Sequence, residues 1–259
     1  MKQRWALAGS IAGVLTAGVV FAPAHWLTRQ VEQLSQQRVV LQDARGSLWS
    51  GSARLVLSAG QGSQQAVALP ERLTWNLSPQ LFPQPALGIT LSLPCCTPSP
   101  ISLLAQAGWS GTRVRMLDQQ STWPASALSG LGTPWNTVQA QGQLTLDTRG
   151  LEIRWAERRW QVVGQATLSL LDLSSRLSTL RPMGSYRLHV QGSEGSSPLQ
   201  VQLDTLSGQL QLHGRGEWIG GRWRFEGEAS AAPAYEAALS NLLNVLGRRQ
   251  GNKALLTMG

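Results

Sequence analysis

The sequence predicts a mainly β protein, in which a single N-terminal transmembrane helix precedes a twisted, largely antiparallel β-sheet or sandwich-like domain with a C-terminal helix. Three patterns predict this fold: an uncharged apolar segment near the N-terminus, alternating apolar and polar residues along most of the chain, and an apolar stripe at helical spacing near the C-terminus. The composition agrees, because only 14% of the 259 residues are charged and 27 are glycine, whereas about a quarter of an ordinary soluble domain is charged.

The apolar segment runs from Trp5 to Trp26 and carries no formal charge when His25 is neutral. As a helix rising about 1.5 Å per residue, it is long enough to cross a hydrocarbon core of about 30 Å. The tryptophans at its two ends suit the membrane interfaces, where indole rings are enriched. The segment is therefore predicted to be a membrane anchor over residues 5–26.

Lys2 and Arg4 precede the apolar segment. Because basic residues are retained in the cytoplasm, residues 1–4 are predicted to form a cytoplasmic leader and the chain after the anchor to be exported. The alternative is a cleaved signal peptide, with Ala22-Pro23-Ala24 as its small-residue site. Either reading places the rest of the chain outside the cytoplasm.

The exported chain divides into three predicted parts. Residues 27–38 form a helical stalk, because three apolar residues recur there at i, i+4 and i+7. Residues 39–247 form the β-rich domain together with its C-terminal helix. Residues 248–259 form a tail, which is expected to be frayed from Gln250 onward.

Period-two alternation is the main strand signal. Leu151, Ile153 and Trp155 alternate with Glu152 and Arg154, for example. Such a pattern predicts strands with one buried and one solvated face, and hence mostly antiparallel pairing. The apolar residues of each strand are expected to face the core.

The middle of the chain, from Pro79 to Pro134, is rich in proline. Proline cannot donate a ladder hydrogen bond, so it is excluded from central strand positions. This part is either a long loop region or a seam between two lobes.

After Pro233 the apolar period changes to that of a helix. The stripe is formed by Tyr235, Leu239, Leu242, Leu243 and Leu246. It is predicted to pack on the sheet of its own domain, with docking of a partner as the alternative.

No pattern predicts catalysis, a cofactor, a metal or a small-molecule substrate. The three histidines do not cluster, the acidic residues are dispersed, and no phosphate-binding or nucleophile motif is present. The net charge of +8 comes almost wholly from scattered arginines, which predict a solvated sheet face and no nucleic-acid site. The protein is therefore predicted not to be an enzyme.

Cys95 and Cys96 are the two cysteines of the chain and are adjacent. Successive residues seldom have the Cα separation and Cβ orientation of an ordinary disulfide. The pair is therefore interpreted as a turn after Pro94 without a catalytic role. In an oxidising compartment, a strained vicinal disulfide or a link between two chains are the alternatives.

Several short motifs occur in one order along the chain and resemble those of the type II secretion system protein N family, also called general secretion pathway protein N. The residues that carry the resemblance are Gly46, Leu48, Trp49, Gly51, Trp75, Pro182, Gly184, Tyr186, Gly216, Trp218, Trp223 and Phe225. The short leader and the single anchor are part of the same resemblance.

The resemblance implies a bitopic, non-enzymatic inner-membrane protein of a Gram-negative cell, with a periplasmic domain and a role in exporting folded proteins across the outer membrane. The implied partners are the other inner-membrane platform subunits, the secretin and the lipid bilayer. The family contributes no catalytic or cofactor-binding motif.

A different class remains open, namely an anchored envelope protein whose apolar β-groove binds or conducts lipid. The residues that separate the two hypotheses are Leu168, Leu170, Leu210, Leu212, Trp223 and Phe225. A closed sandwich would bury them against one another, whereas an open groove would leave them as an apolar trough larger than ordinary surface patches.

Overall fold

The computed structural model describes residues 13–14, 16–62, 66–82, 84–108, 111–132, 135–156, 159–195, 197–219 and 222–258. The leader and most of the predicted anchor, including Trp5, lie outside these residues. Within the described part of the chain, no helix combines the length and the apolarity needed to cross a membrane. The anchor over residues 5–26 therefore stays a prediction.

Fifteen strands in the described residues form one sheet, and every pair of neighbours is antiparallel. The strands are β1 (Val39–Gly46), β2 (Ser50–Ser58), β3 (Ala66–Gln80), β4 (Ala86–Ser92), β5 (Ile101–Gly108), β6 (Gly111–Met116), β7 (Gln119–Pro124), β8 (Gln141–Ala156), β9 (Arg159–Ser174), β10 (Gly184–Gly192), β11 (Leu199–Gly208), β12 (Leu210–Ile219), β13 (Arg222–Ala231), β14 (Arg248–Gln250) and β15 (Lys253–Met258). Their order in the sheet follows the chain except that β7 pairs beside β6 on β8, and that β15 lies between β13 and β14.

The layer that covers this sheet is helical, so the sandwich-like alternative is wrong. The helices are α1 (Ala24–Leu34), α2 (Trp135–Val138) and α3 (Glu236–Leu246), with 3₁₀ helices at Ala125–Leu131 and Pro233–Tyr235. Leu239, Leu242 and Leu243 of α3 are fully buried in one cluster with Leu210 and Met183. The apolar stripe of α3 thus packs on its own sheet, as its spacing predicts.

A second core lies under the N-terminal strands. It contains Leu55, Leu69, Leu93 and Cys96, together with Ala127 of the first 3₁₀ helix. Trp123 packs against both this cluster and the one around α3. The two cores therefore share one continuous sheet, and no seam divides it.

The proline-rich middle contains strands because its prolines sit where the ladder is interrupted or one-sided. Pro70 lies within β3 at the register shift between β2 and β3. Pro79 pairs with Leu87 of β4, beyond the last residue of β3 that pairs with β2. At both positions the ladder does not need a hydrogen bond donated by the proline nitrogen, so the strand tolerates proline there.

The expected frayed tail is wrong, since residues 248–258 form β14 and β15. Ala254 of β15 pairs with Ala229 of β13 and is completely buried. Without β15, strand β13 would be the edge strand of the sheet, and the backbone groups along its outer edge would be unpaired. The tail is short and bears two arginines, which hid this alternation.

The expected burial at the end of β8 is also reversed. Glu152 is only 5% exposed, whereas Trp155 is 51% exposed and Ile153 is exposed too. The apolar face of β8 has no helix over it at this end, while three arginine side chains cover Glu152 on the other face.

Candidate functional site

The turn between β1 and β2 is shaped by two glycines of the family-like motifs. Gly46 has a φ of +92°, which L-residues with a side chain rarely adopt. Gly51 lies against the indole of Trp75, and a Cβ atom at this position would collide with that ring. The glycines therefore allow Trp75 to lie flat against the turn.

Trp75 fixes this turn to the sheet. Its side chain is 3% exposed, and its indole N–H points at the carbonyl oxygens of Leu48, at 3.1 Å, and Ser47, at 3.3 Å. A buried indole needs such an acceptor, because an unpaired N–H away from water is costly. The turn over residues 46–51 is thus held in one conformation.

The same turn receives the end of the N-terminal helix. The backbone N–H of Leu48 donates to the carbonyl oxygen of Ala22 at 2.7 Å, and the indole N–H of Trp49 donates to that of Val19 at 2.9 Å. Ala22 and Ala24 are buried, and Pro23 forms an isolated bridge with Ser47. The small residues considered as a cleavage site therefore serve here as packing residues.

The helix does not run straight into the predicted stalk. Residues 16–20 are helical, the chain turns at Phe21, and α1 begins at Ala24. Trp26 is half-exposed on the first turn of α1. Pro23 separates the two helical parts in an extended conformation, with a ψ of 153°.

Two motif residues, Trp218 and Trp223, join two other tryptophans in a partly exposed cluster near the ends of two hairpins. Trp218 lies 5.2 Å from Trp160 and 6.3 Å from Trp223, measured between ring centroids. Trp155 is the cross-strand neighbour of Trp160 in the β8–β9 hairpin. These four residues define the tryptophan cluster, and two of them, Trp155 and Trp160, are exposed to solvent.

An ion cluster lies on the opposite face of β8. The carboxylate of Glu152 is 3.1 Å from the Nε atoms of both Arg113 and Arg115, and it accepts a hydrogen bond from Arg154. Arg154 also pairs with Glu194 at 2.9 Å. Burial alone raises the pKa of Glu152, but the hydrogen bonds and charges of the three arginines outweigh it and hold the pKa below its ordinary value.

The motif around Pro182 has a structural role. The Arg181–Pro182 peptide bond is cis. The hydroxyl group of Tyr186, which is buried, donates to the carbonyl oxygen of Leu210 at 3.0 Å, and burial raises the pKa of this phenol. Gly184 lies so close to the same hydroxyl group that a side chain there would displace it.

Gly216 and Phe225 form another structural pair. They are cross-strand neighbours on β12 and β13, and a Cβ atom at Gly216 would press into the Phe225 ring. Phe225 is buried. Gly216 is therefore required for the packing of Phe225 beneath the tryptophan cluster.

The residues chosen to test for a lipid groove are mostly covered. Leu210 and Phe225 are buried, while Leu168, Leu170 and Leu212 pack against the cluster around α3. Trp223 is half-buried within the tryptophan cluster. The structure therefore has no open apolar trough at these positions.

Cys95 and Cys96 form a vicinal disulfide in the turn after Pro94, and Cys96 is buried in the second core. In the described chain, no group of three or more His, Cys, Asp or Glu residues is arranged to hold a metal ion. His189 lies next to Thr167, and His213 is 3.9 Å from Asp204. These histidines belong to pairs on the sheet surface.

Sequence patterns did not reveal the Glu152 cluster, because its arginines come from β6 and β8, and spacing along one strand does not show which residues meet across strands. They also missed Leu81 and Phe82, which are among the most exposed large apolar residues of the described chain. A scan for charge-free segments would have found that region.

The fold and the site together define a class of protein built on one long antiparallel sheet, with an N-terminal helix end locked into its first turn and an aromatic surface farther along. The model of the family described as type II secretion system (T2SS), protein N, matches residues 37–256. The chain therefore belongs to this family, and the resemblance seen in the motifs is confirmed. Comparisons with curated proteins and with solved structures gave no match.

Proposed function

We propose that this protein is a non-enzymatic, single-pass inner-membrane component of the type II secretion system, with a cytoplasmic N-terminus and a periplasmic sheet domain. The main support for this proposal is the family match over residues 37–256, which includes almost every strand of the sheet. The charge-free segment from Trp5 and the two cations before it support the membrane topology. In this role the protein contributes to the export of folded proteins through contacts with other envelope subunits.

The tryptophan cluster is the proposed contact surface for a platform subunit or the secretin. Trp155 is 51% exposed and Trp160 is exposed as well, and tryptophan is the residue most enriched at energetic centres of interfaces. The stripe of α3, for which partner docking is the alternative, and the motif residue Trp49 are both engaged within the chain. Trp49 bonds to the helix end, and the inner side of α3 is buried.

The role as a secretion component is tested by deleting the protein from a cell that uses this machinery and measuring the secreted fraction of a folded cargo protein. We expect the fraction to fall and to recover when the full chain is supplied. Unchanged export after deletion would contradict the proposed function.

The contact surface is tested separately by placing a photo-crosslinking aromatic residue at Trp155 in the full chain. We expect it to capture another secretion subunit. The matched control is the same replacement at Tyr235, which is also an exposed aromatic residue but lies before α3. Capture from position 235 and not from 155 would move the contact surface to α3 while leaving the function in place.

A further inference from the structure

The longest charge-free part of the sheet domain lies in its N-terminal half. No Asp, Glu, Lys, Arg or His occurs between Arg72 and Arg113. These residues form the second half of β3 and all of β4 and β5. A sheet surface that faces water on one side normally carries charges there, but here the polar residues, such as Thr74, Asn76 and Ser78, are all uncharged.

The β3–β4 hairpin projects beyond the first turn of the sheet. The last residue of β3 that pairs with β2 is Asn76, opposite Ser50. Residues 77–80 continue the strand beyond β2 and pair there with β4. At about 3.3 Å per residue, this extension carries the hairpin tip about 13 Å past the start of β2.

The tip of this hairpin is apolar and open. Leu81 is 75% exposed and Phe82 is 89% exposed. Their polar neighbours in sequence are the uncharged amides Gln80 and Gln84. Nothing in the described chain packs on these two side chains to explain why they are apolar.

The hairpin starts where the N-terminal helix ends. The N–H of Leu77, the first residue of the projecting part, donates to the carbonyl oxygen of Trp49 at 2.6 Å. The indole of that same Trp49 donates to the carbonyl oxygen of Val19. Val19 and the following Phe21 are themselves exposed apolar residues. Two apolar elements, the helix end and the hairpin tip, thus lie at the same end of the first strands.

We propose that the β3–β4 tip, Leu81 and Phe82, inserts into the leaflet of the phospholipid bilayer that holds the N-terminal helix, giving the protein a second membrane contact. The inference rests on the membrane topology of the proposed function. A bilayer suits this surface because the tip carries two exposed apolar side chains and its polar neighbours are uncharged, so insertion removes no charge from water. The continuity with the helix end places the bilayer beside it.

The test uses the full chain carrying a single bimane label on an introduced cysteine, in vesicles of phosphatidylethanolamine and phosphatidylglycerol that contain a lipid with a nitroxide on its acyl chain. Because Cys95 and Cys96 are bonded to each other, only the new thiol reacts when no reductant is present. The labelled variants are Phe82→Cys at the tip, Val14→Cys in the helix and Gln61→Cys as control. Gln61 lies in the polar β2–β3 turn, at the opposite end of the same strands.

We expect the nitroxide to remove at least about half of the fluorescence at positions 82 and 14, and to leave that at position 61 unchanged. Quenching at 14 with an aqueous signal at 82 overturns the hairpin contact and leaves the anchor intact. Aqueous signals at both positions overturn the contact and the proposed topology together. Quenching at 82 alone contradicts the anchor and, with it, the claim that the hairpin is a second membrane contact.

Capture of a protein partner from position 82 in cells, combined with an unquenched label in vesicles, would overturn the inference in favour of a protein contact. Because Phe82 is exposed, Phe82→Cys is expected to fold, which the circular dichroism spectrum checks. Leu81→Cys gives an independent reading from the same tip.

Discussion

The β3–β4 hairpin and the β8–β9 hairpin both carry exposed apolar side chains near their ends, but their bases are built in opposite ways. The first rests on the buried indole of Trp75 and has no charged residue in its projecting part. The second rests on Glu152 and its three arginines, which occupy the face opposite Trp155. The exposed tryptophans of the second hairpin are thus backed by charges on the other face of the strand, whereas the polar residues behind the first tip are all uncharged.

The largest expected effect is at the base of the first hairpin. Trp75→Ala removes a buried indole and its bonds to the β1–β2 turn, so we expect the free energy of unfolding to fall by about 3–5 kcal/mol. Urea unfolding of the full chain in detergent measures it. Trp155→Ala is the matched control, and equal midpoints for the two variants would show that Trp75 does not hold the base.

A smaller effect is expected at the base of the second hairpin. Glu152→Gln keeps the side-chain shape but removes the charge shared by three half-exposed arginines, so we expect a loss of about 1.5–3 kcal/mol. The control is Glu194→Gln, because Glu194 is exposed and touches Arg154 alone. Unfolding midpoints that do not differ between these variants would contradict a special role of Glu152.

The loss at Glu152 also depends on pH. The pKa of Glu152 is lower in the folded protein than its ordinary value of 4.5, so its stabilisation is complete above that value and is lost as the pH falls through the folded pKa. We expect the unfolding free energies of the native chain and Glu152→Gln to converge on acidification below pH 4.5. A constant difference down to about pH 3 would show that the carboxylate is not the cause.

The smallest effect is expected at the exposed tip of the second hairpin. Trp155→Ala removes a side chain that is 51% exposed, so the free energy of unfolding should change by less than about 0.5 kcal/mol. With the photo-crosslinking residue moved to Trp160, the same variant should weaken capture of the secretion subunit. A large loss of stability would show that Trp155 belongs to the core.

The sequence was sufficient for elements with strong local patterns and insufficient where the outcome depends on neighbouring strands. The antiparallel strands and the stripe of α3 could be predicted, because periodicity reports which face is apolar. The burial of Glu152 could not, since it depends on Arg113 and Arg115 from another strand. The β14–β15 pair was missed because strands of three and six residues carry too little alternation.

In the candidate site, too, local motifs could be predicted from the sequence and contacts between distant residues could not. Gly46, Gly51 and Trp75 stand out in the sequence as motif residues, but their role depends on the packing of Gly51 against the Trp75 ring, which the spacing does not encode. The tryptophan cluster joins β9 to β12 across two intervening strands. No spacing along the chain encodes that contact.

The order of strands in the sheet bears on how the protein reaches its final form. Because almost every strand pairs with the one synthesised just before it, most contacts are closed over short stretches of chain, and such topologies fold quickly for β proteins. The sheet can grow hairpin by hairpin along the chain. Strand β15 is the exception, because it lies between β13 and β14 in the sheet. The outer edge of β13 is therefore unpaired until this last strand has formed.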